Sequence, residues 1–393
     1  MTDRPRLSVP VRLGVVLALA AGCAATFLAG CKSEPKPAET ATAAPSKGSL
    51  PPPPELTAPQ VPLEPMSPLG FRLEWRSQAV VVSRHRVKFL DAWNDLIVVQ
   101  DDANTMTAIE PQTGRSRWSA DIGADLLRFI GNTRDQSNNI VACSETDALI
   151  LNPGSGELTG RQRFAELANT PPMIVGNILL VGCFNGQVLG HNLISGYKQW
   201  AYQLNGRIDA PMVRTGRDVV AVSSGGDVAV LSPARGGTIG NGKIQGRVDN
   251  APVADDRTVY IAGADQSIWA FASEGGELRW RVRTAYPLVR QPALHEGRLY
   301  VTIPKEGIAC LEAATGARVW TAANLDATVV GINNGRLVTW DGKAARTLDA
   351  VTGDVVETVE IPNCSHFVMD KFVDGNLYLA SPRGELRKYS AKK

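Results

Sequence analysis

Beyond residue 70 the chain is a succession of short apolar runs separated by turn-forming residues. Apolar runs follow or begin at Gly, Asn or Asp near 177–181, 258–261, 297–301 and 375–379. A turn comes next, as at Asn185-Gly186, Gly225-Gly226 and Asp341-Gly342, and then a second run such as 308–312. A Thr-Gly or Ser-Gly turn, with altered flanks at Gly236 and Gly276, leads into a third run, which carries tryptophan four residues after the glycine at Trp118, Trp200, Trp280 and Trp320. A longer loop then leads to a strand expected to open at Pro211, Pro252 or Pro292. Val, Ile, Leu and Tyr dominate these runs, and none shows a sustained helical period. The pattern predicts β-structure throughout.

The pattern also repeats. Turn glycines Gly114, Gly156, Gly196, Gly236, Gly276, Gly316 and Gly353 lie 42, 40, 40, 40, 40 and 37 residues apart. A period near 40 marks a propeller or a solenoid. One four-stranded unit cannot bury both faces alone, so its neighbours must stack on it, and a ring leaves only short, protected edges. Third-strand positions near 118, 160, 200, 240, 280, 320 and 357 give seven units. An eighth begins at Gly375 and stops at Lys393, where its Thr-Gly turn is due. Phe71-Arg72-Leu73-Glu74-Trp75 places Trp75 43 residues before Trp118, in phase with the repeat. The expected fold is all-β: an eight-bladed β-propeller of four-stranded antiparallel blades over 71–393, its ring closed by the N-terminal strand. Seven blades is the competing count.

The first seventy residues read differently. Residues 1–12 are basic and residues 13–30 carry no charge, the n-region and h-region of an export signal. Eighteen apolar residues also reach across a bilayer, so an uncleaved anchor is the alternative. Leu28-Ala29-Gly30-Cys31 resembles the lipobox of bacterial lipoproteins, which implies lipidation at Cys31 after removal of 1–30. Ala20-Ala21-Gly22-Cys23 is a poorer match, with Ala20 where leucine is preferred. Lys32 stands where aspartate would imply retention in the inner membrane. The resemblance therefore implies an outer-membrane lipoprotein facing the periplasm in a diderm organism, and the outer face of the cytoplasmic membrane otherwise. Residues 31–70 are rich in Pro and Ala, with a Pro51–Pro54 run expected as polyproline II. They read as a disordered tether, with a docking site for a proline-binding module as the alternative.

Composition narrows the reading. Apolar residues make up 44% of the chain, enough for a sizeable core. The formal net charge is +2, and residues 1–30 carry all of it through Arg4, Arg6 and Arg12 against Asp3. A neutral mature chain excludes a non-specific nucleic-acid binder.

Candidate chemistry is sparse. His85, His191, His295 and His366 are scattered without ligand spacing and read as surface or turn residues. Asp101 and Asp102 fall near a hairpin turn and read as solvated. The basic runs Arg84-His85-Arg86-Lys88 and Arg279-Arg281-Arg283 read as solvated surface, with an anionic partner as the alternative; alternation would put the second run on one strand face. Cys143, Cys183, Cys310 and Cys364 read as free, partly buried thiols, although an exported chain can form disulfides. No nucleophile elbow, phosphate loop or zinc motif occurs.

Thr347-Leu348-Asp349-Ala350-Val351-Thr352-Gly353 matches the first half of the pattern Ala-x-Asp-x-x-Thr-Gly-x-x-x-Trp, with Glu357 in place of the tryptophan. Residues 309–316 followed by Trp320 match its second half. The chain thus resembles the tryptophan-docking repeat of quinoprotein-type (PQQ-like) propellers. That resemblance implies that Trp75, Trp118, Trp200, Trp280 and Trp320 pack between adjacent blades, beside turns built on Gly114, Gly156, Gly196, Gly276, Gly316 and Gly353. The family's enzymes need a calcium site of carboxylate and amide oxygens, an aspartate base, adjacent cysteines and long insertions. Here no two cysteines adjoin and the units leave no room for insertions, so no catalytic, cofactor or metal residue is assigned. The resemblance is nearest to BamB-like lipoproteins. It implies a monomeric, non-enzymatic envelope scaffold whose partners include β-barrel assembly components, bound through the loops before Pro211, Pro252 and Pro292 or through exposed strand edges. Another envelope-binding role fits the same repeat. A PQQ-dependent dehydrogenase, or a small-molecule or glycan binder using the central channel, is the alternative class.

Overall fold

The structure, a computed structural model, describes residues 65–123 and 127–392. Cys31, Cys23, the export signal and the tether up to residue 64 lie outside the described residues. Among the described residues, eight four-stranded antiparallel sheets account for all the strands. Blade 1 spans 87–121, blade 2 129–163, blade 3 173–203, blade 4 213–243, blade 5 253–283, blade 6 293–323 and blade 7 328–360. Blade 8 combines 366–391 with Phe71–Gln78, which pairs antiparallel with Glu385–Ala391. Leu73 lies opposite Tyr389 and Arg76 opposite Arg387, so the first strand of the propeller seals the last blade. The chain forms the eight-bladed ring expected from its repeat.

Strand chemistry sets the position of each strand. The second and third strands, such as Ile178–Gly182 and Gln187–Asn192, are buried almost throughout because neighbouring blades cover both their faces. Their uninterrupted apolar runs are what such burial requires. Outer strands such as Leu158–Arg163 and Ser116–Asp121 alternate between exposed and partly exposed. The first strands touch one another around the ring, as Val87–Ala92 does with His366–Met369 and with Phe129–Arg134, and so line the axis. The core is accordingly a series of wedges between blades. One, between blades 3 and 4, joins Leu180, Val188, Trp200, Val219 and Leu231. Each such side chain contributes roughly 1.5–3 kcal/mol when taken from water.

Two details depart from expectation. The strands do not open at the prolines; they begin at Val213, Val253 and Ala293, because proline has no N–H to give the ladder. Residues 65–70, assigned above to the tether, form a turn in which Met66 and Leu69 are buried against Phe71, Ile361 and Phe367.

Antiparallel order gives the ring two unlike faces. The Thr-Gly turns share one face with the hairpins between first and second strands. The loops that lead from blade to blade share the opposite face with the hairpins between second and third strands.

Candidate functional site

The repeated tryptophans sit on the turn face. The Trp75 indole N–H donates to the Pro111 carbonyl at 3.0 Å, Trp118 to Pro153 at 2.9 Å, Trp200 to Pro233 at 2.9 Å, Trp280 to Ala313 at 2.9 Å and Trp320 to Ala350 at 3.1 Å. Every acceptor lies in the corresponding turn of the next blade. The rings cover Gly114, Gly156, Gly236, Gly316 and Gly353 of those turns. Gly236 shows why a side chain is excluded there: its φ is +67°, and a Cβ would stand 2.3 Å from Trp200.

The other two assigned glycines face no indole. Gly196 meets the side chain of Gln162, which donates to the Leu193 carbonyl at 2.8 Å and bonds His191 Nε2 at 2.9 Å. Gly276 meets the backbone of Asn241 directly. The tryptophan position of the preceding blade is Gly160 in the first case and Gly240 in the second.

At the axis a cavity of about 650 Å³ is walled by the first strands of blades 4 to 8. Val213, Val253, Leu294, Val329, Phe367 and Met369 make it apolar, with Gln291 and Thr328 as its polar residues. No residue lining it is charged. Among the described residues no three His, Cys, Asp or Glu side chains gather where they could hold a metal. This lining does not fit a quinone–calcium site, which needs several oxygen ligands and an aspartate base.

In blades 8, 1 and 2 the first strands carry titratable groups held by hydrogen bonds. Lys88 Nζ donates to the Phe129 carbonyl at 2.8 Å, and burial pushes its pKa down. His366 Nε2–H donates to the Lys88 carbonyl at 3.1 Å, and burial lowers its pKa too. Asp91 Oδ2 accepts from Asn132 Nδ2 at 2.9 Å; desolvation raises the carboxyl pKa to about 6, against the lowering effect of that bond.

The loop face carries the blade-to-blade segments. Gly206-Arg207-Ile208-Asp209 recurs forty residues on as Gly246-Arg247-Val248-Asp249. Each arginine pairs with its own aspartate, at 2.8 Å and 2.9 Å. Asn169, in the equivalent loop before blade 3, donates to Asp209 at 2.9 Å, and Arg290 meets Asp326 at 2.6 Å. The same face exposes Val80, Val82, Leu167, Phe184 and Val289. The recurrence of Gly-Arg-x-Asp was visible in the sequence and could have marked this face.

Several single-residue expectations need correction. Asp101 is fully buried, not solvated: its carboxylate accepts from the backbone N–H groups of Val82, Ala103 and Thr105. Asp102 is exposed and pairs with His85 at 2.9 Å. His191 is buried, edge-on to Phe164 at 5.5 Å between ring centroids. Lys88 is tucked under blade 2 instead of standing in solvent. The outer strand of blade 5 bulges at Arg279, which breaks the expected alternation, and Arg281 stacks over Trp269 at 4.1 Å. Cys143, Cys183 and Cys310 are free and fully buried, and Cys364 is free and half-buried. Desolvation pushes the Cys183 thiol up to about 12 and those of Cys310 and Cys364 to about 11, so these are inert thiols at neutral pH.

Eight four-stranded blades with tryptophans seated on the next blade's turn glycines define a PQQ-like β-propeller. The chain belongs to the family whose profile is described as outer membrane protein assembly factor BamB, which matches residues 103–247, 184–291 and 264–393. Outer membrane protein assembly factor BamB of Yersinia pestis is 23% identical over 323 residues, covering 74% of this chain and 78% of its own length. The protein of the same name from Burkholderia pseudomallei (strain K96243) is 26% identical over 151 residues, 37% of this chain and 36% of that one. Among solved structures, BamB from Moraxella catarrhalis superposes with a TM-score of 0.67 at 13% identity, over 81% of this chain and 99% of that one. The computationally designed Ika8 protein gives 0.66 at 12% identity, over 81% of this chain and 100% of its own. At such identities the superpositions establish the fold alone.

Proposed function

We propose that this chain is a lipid-anchored, non-enzymatic scaffold of the outer membrane's periplasmic side that takes part in assembling β-barrel proteins. Residues 1–30 direct export, Cys31 carries the lipid, and the proline-rich segment after it sets the propeller off from the membrane. Several acyl chains together give a stable anchor, at about 0.8 kcal/mol per buried methylene. The indoles serve structure: they tie blade to blade on the turn face and leave the opposite face free for a protein partner.

The observation that carries this reading is the loop face. Its exposed apolar residues stand among loops held by internal ion pairs, which is a preorganised interaction surface. Family membership supplies the class of partner. The test is capture of the full-length lipidated protein from its own envelope, followed by immunoblotting for a β-barrel assembly component. The double variant Leu167→Asp/Val289→Asp is expected to reduce recovery at least tenfold while the protein remains folded. Undiminished recovery would remove the loop face from the reading, and dye reduction on adding quinone and calcium would overturn the non-enzymatic role. The apolar axial cavity favours a second reading, a small apolar ligand, which a ligand-dependent thermal shift would reveal.

A further inference from the structure

The wedge between blades 7 and 8 takes part of its filling from outside the blades. Met66 and Leu69, on the turn before the first strand, are buried there with Phe71, Ile361 and Leu379. That filling stops short. A cavity of about 320 Å³ adjoins it, between the end of blade 7's outer strand and the third strand of blade 8. Ile361 and Leu379 belong both to the buried cluster and to the wall of the cavity, so one apolar bed runs beneath the two. Pro362, half-buried Cys364 and Arg387 also line it.

Pro65 lines the same cavity. The chain therefore enters the propeller beside this space, and residues 61–64 before it read Val-Pro-Leu-Glu. Consecutive Cα atoms lie about 3.8 Å apart, so the Leu63 Cα is within about 7.6 Å of that of Pro65. Val61 and Glu64 each precede a proline, which disfavours the helical region for both and favours an extended chain. On an extended chain Val61 and Leu63 share one face. A chain so confined loses little freedom on docking.

We propose that the groove between blades 7 and 8 is the seat of the chain's own segment 61–64, with Val61 and Leu63 packed on Ile361, Leu379 and Cys364. Burial of apolar surface on both sides supplies the affinity. The covalent link through Pro65 holds the segment at a high effective concentration, against which any separate ligand must compete. The seat also protects the seal of the ring. Phe71–Gln78 closes the propeller, and a seated Leu63 keeps a pull on the preceding chain from reaching that strand. This protective role, unlike the seat itself, rests on the lipid anchor proposed above.

The test is alkylation of Cys364 by N-ethylmaleimide in the full-length lipidated protein in detergent, read by peptide mass spectrometry. Val61→Asp/Leu63→Asp is expected to raise the rate at Cys364 at least tenfold, while fully buried Cys310 stays unreactive. Leu63→Met is expected to keep the original rate. Leu63→Cys is expected to form a disulfide with Cys364 on oxidation by copper phenanthroline, at least tenfold faster than Thr57→Cys does. An unchanged rate in Val61→Asp/Leu63→Asp, or equal oxidation of Leu63→Cys and Thr57→Cys, would overturn the seat. So would faster alkylation of Cys310 together with Cys364, which reports general loosening. An oxidised Leu63→Cys product that runs as a dimer would overturn it too, since the groove would then hold a neighbour's segment. These readouts need no envelope partner, so they hold or fail apart from the capture experiment.

Discussion

Two kinds of junction hold the ring together. Five blades send an indole onto the next blade's turn: blades 1, 3, 5 and 6, and blade 8 through Trp75. Three do not, and each substitutes in its own way. Between blades 2 and 3 a Gln162–His191 bond takes the space. Between blades 4 and 5 the backbones close directly, so that a Cβ on Gly240 would stand 2.1 Å from Gly275. Between blades 7 and 8 there is no turn to cover, because the two paired strands there, Phe71–Gln78 and Glu385–Ala391, come from opposite ends of the propeller and are not joined to each other. Asn333 donates there to the carbonyls of Leu69 and Gly70, at 3.1 Å each, and Asn334 to that of Lys392 at 2.9 Å. Met66, Leu69 and Phe71 fill the wedge, with Trp340 stacked on Phe367 at 4.9 Å. The difference teaches that a closed turn can be covered without an indole, by Gln162 with His191 or by backbone alone, whereas an indole needs a closed turn opposite to be seated.

The largest test of that contrast is Trp200→Ala, which deletes a buried indole and its hydrogen bond. It is expected to cost about 3 kcal/mol in urea unfolding, against about 1 kcal/mol for Gln162→Ala in the indole-free junction. Equal losses would erase the distinction. A second test addresses the inner end of the junction between blades 1 and 2. Asp91 has a folded pKa of about 6 against an ordinary 3.8, so its neutral form is the one the fold favours. Stability from this group is greatest at acid pH and falls as pH rises from about 4 through about 6, by up to about 3 kcal/mol. Asp91→Asn is expected to flatten that dependence and to raise stability at pH 8 but not at pH 4; a variant that lowers stability at pH 8 would refute the assignment. The smallest expected effect is that of Glu357→Trp. With two unjoined strands in place of a turn on blade 8, the new indole has nowhere to seat, and unfolding is expected to change by less than about 0.5 kcal/mol. A gain approaching the loss in Trp200→Ala would show that the turn is not required.

Much of this architecture was legible in the chain. Glycine spacing near 40 gave the blade count, and a tryptophan in phase at Trp75 gave the head-to-tail seal. Local turn chemistry recurs with the blade, so a one-dimensional reading captures it. What escaped that reading depends on neighbours distant in the chain. Asp101 looks like any surface carboxylate until Val82, Ala103 and Thr105 turn their N–H groups onto it. His191 looks like a turn residue until Gly160 leaves room for Gln162 to reach it. Met66 and Leu69 read as tether because prolines flank them, yet they complete a core wedge. The loops before Pro211, Pro252 and Pro292 do lie opposite the Thr-Gly turns, but their Arg-Asp pairs escaped the reading: their forty-residue recurrence lies outside the turn and tryptophan signals that defined the repeat.

Sealing the ring with Phe71–Gln78 has a consequence for synthesis. That strand is the first part of the propeller to be made, and its partner Glu385–Ala391 is the last. No intermediate length of chain can complete the circle, and this contact carries a sequence separation of more than three hundred residues. Such distant pairing makes closure a slow, late event. A prematurely terminated product would leave Phe71 without Leu377 and Tyr389, which help to bury it, so the last strands made complete the bed of the first.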